Sequence, residues 1–128
     1  MAHKFKKHYT RDEARALLPK VRQWLDELGE LRLELEKNDR KLAGMMTAGD
    51  DLGGTLVNRT VKVLGGMKEL LQRFESREIM IKDLQRGLVD FPALIGGKEV
   101  FLCWEKDEAD IEFWHDIDSG FAGREPLL

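Results

Sequence analysis

The sequence predicts an α+β protein in which a long antiparallel helical hairpin is followed by a small antiparallel β-meander. Three observations carry that expectation. Leu17, Val21, Trp24, Leu28, Leu31, Leu35, Asn38, Leu42 and Met45 follow one another at alternating steps of four and three, as do Leu56, Thr60, Val63, Met67, Leu70, Phe74, Arg77, Ile81 and Leu84. Such steps draw a stripe along one side of a helix, and two stripes joined by a short connection bury against each other as a hairpin or in an oligomer. Beyond Phe74 the spacing changes, and apolar residues alternate or run together between glycine-bearing turns, as strands do.

The first helix starts at a capping box. The Thr10 hydroxyl accepts from the Glu13 amide while the Glu13 carboxylate accepts from that of Thr10. Pro19 lacks an N–H and its ring crowds the preceding turn, so the expected course is a short helix, a bend, and a long helix from about Pro19 to Met46. Off the stripe, Glu30, Arg32, Glu34, Glu36, Lys37, Arg40 and Lys41 form a solvated face. Residues 47–55 hold three glycines and two aspartates and make the tip of the hairpin. That segment has no phosphate-loop pattern, and Asp50 and Asp51 would oppose an anion. The second helix resumes near Thr55; Gly65 and Gly66 within it each cost about 1 kcal/mol relative to alanine, a penalty that a close helix crossing explains.

The sheet region reads as three strands. Residues 87–95 lead through a Gly96-Gly97 turn into residues 99–104, and a polar turn at 105–108 leads to residues 111–115. Alternation puts Val100, Leu102 and Trp104 on one face and Phe101 and Cys103 on the other, while Ile111, Phe113 and His115 oppose Glu112 and Trp114. Both faces are apolar, so the sheet is expected to pack on more than one surface. The chain is read as a single domain: a basic arm (1–8), the hairpin (10–77), the sheet (78–116) and a C-terminal loop and tail (117–128).

With 128 residues, 42% apolar and 35% charged, the chain has the size and balance of one soluble domain. No apolar run approaches the ~20 residues that cross a bilayer, and the basic start lacks the apolar stretch of a signal peptide. A single cysteine, Cys103, forms no internal disulfide, and the expected location is the cytoplasm. The net charge is −3, with Lys4, Lys6 and Lys7 in the arm and seven acids between Glu105 and Asp118. The arm reads as a frayed, solvated terminus, with phosphate or acidic-surface contact as the alternative. The acidic body argues against nucleic acid.

The stretch Lys82-Asp83-Leu84-Gln85-Arg86-Gly87-Leu88-Val89-Asp90-Phe91-Pro92-Ala93, followed by Val100-Phe101-Leu102-Cys103-Trp104, Trp114-His115 and the segment from Gly120 to Leu127, resembles a bacterial family catalogued as domain of unknown function 2203. Tyr9-Thr10, Glu13-Ala14 and Leu17-Leu18-Pro19 resemble its opening. The resemblance covers nearly the whole chain and implies a small cytoplasmic prokaryotic protein with the helix-then-sheet layout, and no activity. The chain departs from the family pattern at Asp107, where a glycine is expected before Glu108.

Four residues are candidate ligand-binding groups: Trp104, His115, Asp116 and Arg124. His115, Asp116 and Asp118 offer an imidazole and two carboxylates, ordinary ligands for a divalent metal, but the set is short and the other histidines, His3 and His8, belong to the arm. The structural alternative has His115 hydrogen-bonded within the fold and the aspartates starting turns. No metal or cofactor is therefore assigned. Arg124, in the Gly120-Phe121-Ala122-Gly123-Arg124 loop, would grip a carboxylate or phosphate, or pair with an acid of its own chain such as Asp90 or Asp83. Cys103 with His115 would make a thiol and base, but a mid-strand cysteine is more often buried and inert. Trp104 and Trp114 are expected as a cross-strand pair.

Val57, Val61, Leu64 and Leu71 form a second stripe on the second helix, more apolar surface than one hairpin partner needs. The functional expectation is a non-enzymatic module that associates with itself through its helices or docks a protein partner. The alternative is a small anionic-ligand or metal-binding protein, with or without hydrolytic activity, with a site near His115 and Arg124.

Overall fold

The computed structural model describes residues 3–49 and 54–127. Helix α1 (Arg11–Ala48) begins at the expected capping box: the Glu13 amide donates to Thr10 Oγ1 at 3.1 Å and the Thr10 amide to Glu13 Oε1 at 3.0 Å. The break expected at Pro19 does not occur, because α1 is one helix of 38 residues running through the proline. Ala14 and Leu18 before it and Val21 and Trp24 after it all belong to the same buried cluster, and that shared packing offsets the ~3 kcal/mol an internal proline costs. Gly49, in the left-handed region at φ 75°, closes the helix by donating its N–H to the Met45 and Met46 carbonyls. Residues 50–53, the middle of the expected tip, lie outside the described residues.

Helix α2 (Gly54–Glu75) packs along α1 with the stripes facing, and every stripe residue from Leu17 to Phe74 is buried or half-buried. Trp24 and Phe74 meet edge to face at 5.5 Å. A β-carbon on Gly66 would stand 3.2 Å from Leu31 Cδ1, so the close crossing accounts for Gly66; around Gly65 there is open space, and the crossing gives no reason for it. Asn38 is buried within the seam, and its Nδ2 has no hydrogen-bond partner among the described residues. The helix stops at Glu75, so Arg77, Ile81 and Leu84 leave the stripe, and Ile81 joins a strand instead.

Five strands follow rather than three: β1 (Met80–Asp83), β2 (Leu88–Ile95), β3 (Lys98–Glu105), β4 (Phe113–Asp116) and β5 (Glu125–Pro126) form one antiparallel sheet in chain order. The two additional strands are edges of four and two residues, too short for alternation to show. Gly96 and Gly97, at φ 58° and 79°, turn β2 into β3 as a two-residue hairpin requires. Pairing of Asp90 with Cys103 and Val89 with Trp104 fixes the two faces. Val89, Phe91, Ala93, Val100, Leu102 and Trp104 face the helices and join Leu18, Val21, Leu25, Leu28, Leu70 and Phe74 in the core. The departure at Asp107 leaves the next turn intact, since the Glu108 amide donates to the Glu105 carbonyl at 2.8 Å and Asp107 needs no positive φ.

The opposite face is closed by the chain ends. The basic arm is not frayed: Phe5 is buried against Phe101 with ring centres 5.4 Å apart. Glu99 receives the amides of Lys4 and Phe5 at 2.9 and 3.0 Å, and Glu78 those of Lys6 and Lys7 at 2.9 and 2.7 Å. The Tyr9 amide donates to the Pro92 carbonyl at 2.7 Å, which shows that Pro92 turns its peptide groups away from β3 and so interrupts no ladder bond. Side chains add to these main-chain bonds, with His8 Nε2 2.8 Å from Glu99 Oε2 and Lys7 Nζ 3.2 Å from Glu13 Oε2. No helix among the described residues is long and apolar enough to cross a membrane.

Thr10→Ala is expected to lower stability by about 1 kcal/mol in denaturant titration, the usual loss on removing an N-cap hydroxyl. Acid is expected to release the arm. Burial pulls the Glu99 carboxyl upward, but the His8 imidazole and the Phe5 and Lys4 amides outweigh it and hold the group at about 2, against an ordinary 4.5. A carboxyl depressed in the folded state stabilises above its unfolded value and loses that contribution as pH falls through its folded one. Protection of the Lys4 and Phe5 amides, relative to their intrinsic exchange, should therefore fall between pH 4.5 and 2, and Glu99→Gln should remove that fall.

Candidate functional site

Strand alternation carries one acid, one thiol and one imidazole to the face away from the helices. Asp90 of β2 stands opposite Cys103 of β3, and His115 of β4 pairs with Phe101, one step along β3 from Cys103 on the same face. His115 reaches across β3, so that its Nε2 lies 3.0 Å from Asp90 Oδ2. Its Nδ1 lies 2.7 Å from the Asp116 main-chain oxygen. A carbonyl only accepts, so Nδ1 carries the hydrogen and donates, and Nε2 is the nitrogen presented to Asp90.

All three side chains are withdrawn from water, with Asp90 1%, Cys103 0% and His115 2% exposed. One oxygen of each carboxyl, imidazole nitrogen or sulfur of the three groups lies within 4.8 Å of the others. Burial raises the Asp90 carboxyl above its usual range, and the His115 imidazole only partly opposes this. Burial, with the Asp90 charge beside it, pushes the Cys103 thiol up to about 12, so it is neutral and unreactive at physiological pH. Asp90 Oδ1 has no hydrogen-bond partner among the described residues. The three line a small, largely enclosed cavity of about 140 Å³ together with Lys82, Leu88, Ser119, Gly120 and Phe121.

The four candidate residues do not converge. His115 lies in this cavity wall, and Asp116 adjoins it through its carbonyl while its carboxylate pairs with Lys98 Nζ at 2.8 Å. Trp104 is on the other face, fully buried under the Arg22 guanidinium, with Nε1 donating to the Glu108 carbonyl at 2.9 Å. Trp114 pairs with Leu102, two residues along β3 from Trp104, and no stacked tryptophan pair forms. Arg124 pairs with Glu108, neither Asp90 nor Asp83, and its guanidinium lies 3.6 Å from the Phe113 ring centre and 4.6 Å from that of Phe121. Glu108 is thus a junction that ties the β3–β4 turn to helix α1 and to the C-terminal tail, since Arg22 also donates to its carbonyl at 2.7 Å. The sequence reading missed Asp90 as a partner of His115. Its signal is there: an acid set inside the apolar run of β2 must be satisfied by something buried.

The family model for DUF2203, described as an uncharacterized conserved protein, matches residues 7–127, nearly the whole chain. The chain belongs to the DUF2203 family. No curated protein and no solved structure is matched. In this DUF2203 member the match takes in both the helical hairpin and all three residues of the buried cluster.

Arg124→Ala should leave the largely buried Glu108 carboxylate without its cation and free the tail. The expected loss is roughly 3 kcal/mol, read as a fall in melting temperature. A variant that melts like the parent would show that the pair with Glu108 contributes little to the fold.

Proposed function

We propose that the protein is a non-enzymatic cytoplasmic module that associates with a second copy of itself through the outer part of its helical hairpin. One observation carries this reading. Val57, Val61, Leu64 and Leu71 lie along α2 at helical spacing, and all remain exposed, Val61 at 62% and Leu64 at 49%. A stripe of that kind left open to water on a helix is the surface that bundle formation covers.

The layout supports it. The core shared with the sheet draws on α1 no further than Leu31 and on α2 no earlier than Met67. Beyond those points the hairpin carries its own seam with no sheet behind it, over roughly 25 Å at 1.5 Å per residue. A two-helix arm has two open sides, and pairing with its symmetry mate makes a four-helix bundle. The other reading, an anionic ligand gripped by Arg124, loses its cation to Glu108 and Phe113.

Light scattering on the purified protein at micromolar concentration should give the mass of a dimer or larger. Val61→Glu combined with Leu64→Lys should give a monomer that still folds, because both side chains are exposed in the single chain, with a melting temperature lowered by the loss of association. A monomeric mass for the parent protein would overturn the proposal.

A further inference from the structure

We propose that Asp90, Cys103 and His115 form a binding site for a divalent transition-metal ion of the zinc type, separate from the helical stripe and independent of it. The donor set is the first ground. Carboxylate, thiolate and imidazole are the ligands such ions take, and three neighbouring strands bring one of each to a common point. Around a tetrahedral zinc, ligand atoms stand roughly 3.3–3.7 Å apart, given bond lengths of about 2.0–2.3 Å. The three donors lie within 4.8 Å of one another, so small rotamer adjustments close the set.

Hydrogen bonding is the second ground. His115 donates from Nδ1 to the Asp116 carbonyl, the outer contact that fixes a ligating histidine's tautomer and aims Nε2 as a lone pair. That lone pair faces the Asp90 carboxylate at 3.0 Å, and two acceptors in contact need a cation or a proton between them. Apart from the weak S–H donor of Cys103 beside the carboxyl, Asp90 Oδ1 has no hydrogen-bond partner among the described residues although Asp90 is 1% exposed, and a bound cation would satisfy it. Charge is the third. A dication offsets one carboxylate and one thiolate beside a neutral imidazole, while Lys82, exposed in the lining of the same cavity, adds one positive charge.

The ion would have three protein ligands, with its fourth position facing the 140 Å³ cavity beside Ser119 and Gly120, where a water or a small ligand fits. Metal entry converts the neutral Cys103 thiol to a bound thiolate, and the displaced proton passes to solvent.

Cobalt(II) added to metal-free protein tests this directly, because Cys103 is the single cysteine of the chain. One equivalent should give a sulfur-to-cobalt charge-transfer band in the near ultraviolet and visible bands of tetrahedral strength, and zinc should abolish both. At free zinc a hundred times its Kd, the folding equilibrium should rise about a hundredfold, seen as a higher melting temperature. Cys103→Ser should lose the charge-transfer band. His3→Ala combined with His8→Ala, which dismantles the separate His3–His8–Glu99 group in the arm, should keep it. The parent spectrum alone decides the matter if the serine variant does not fold. Absence of binding, a cobalt spectrum without the thiolate band, or loss of binding in the His3/His8 variant would overturn the proposal.

Discussion

The pairing of β2 with β3 is the constraint on which the rest of the molecule depends. Eight residue pairs hold these strands in one register, and within it every side chain is assigned to one of two faces with no freedom to exchange. One face is apolar from Val89 to Ala93 and from Val100 to Trp104 and takes the two helices. The other carries Asp90, Pro92, Phe101 and Cys103 and lies away from α1 and α2. A face that mixes an acid with aromatic rings cannot be left to water, so the arm and the C-terminal loop have to return to it. The positions of Phe5, Ser119 and Phe121 follow from that need.

What the sequence disclosed depended on the range of the interaction. The stripes were legible because a helical seam repeats, and each of its members, from Leu17 to Phe74, reports the same direction. The capping box was legible because its partners are three residues apart. Pro19 misled, since the local cost of a proline is visible in sequence while the packing of Leu18 and Val21 that outweighs it is not. The arm misled for a related reason: it reads as a charged, solvated end, yet much of what holds it is backbone amides, which every residue has, together with the Phe5 ring and the His8 imidazole.

Among the site residues, neighbours in sequence proved a poor guide to neighbours in space. Asp116 and Asp118 follow His115 closely, but alternation and the turn carry their carboxylates elsewhere. The acid that meets the imidazole is Asp90, twenty-five positions away on a strand that does not pair with β4. Trp104 and Arg124 were singled out for chemistry, and both turn out to be joined through Glu108, a residue whose own importance rests on its position at the β3–β4 turn. A buried acid in an apolar strand carries more information than a cluster of acids in a loop, because only the first has to be answered by another residue.

The docking of residues 4–9 has a consequence for the order in which the molecule is made. Their contacts reach to Pro92 and Glu99, separations of up to 95 positions. On the ribosome, the beginning of the chain therefore waits until its partners in β2 and β3 have emerged, while the helices, whose contacts are nearer in sequence, assemble ahead of it. Until that closure, Phe101 stands open to water, because the ring that covers it belongs to Phe5.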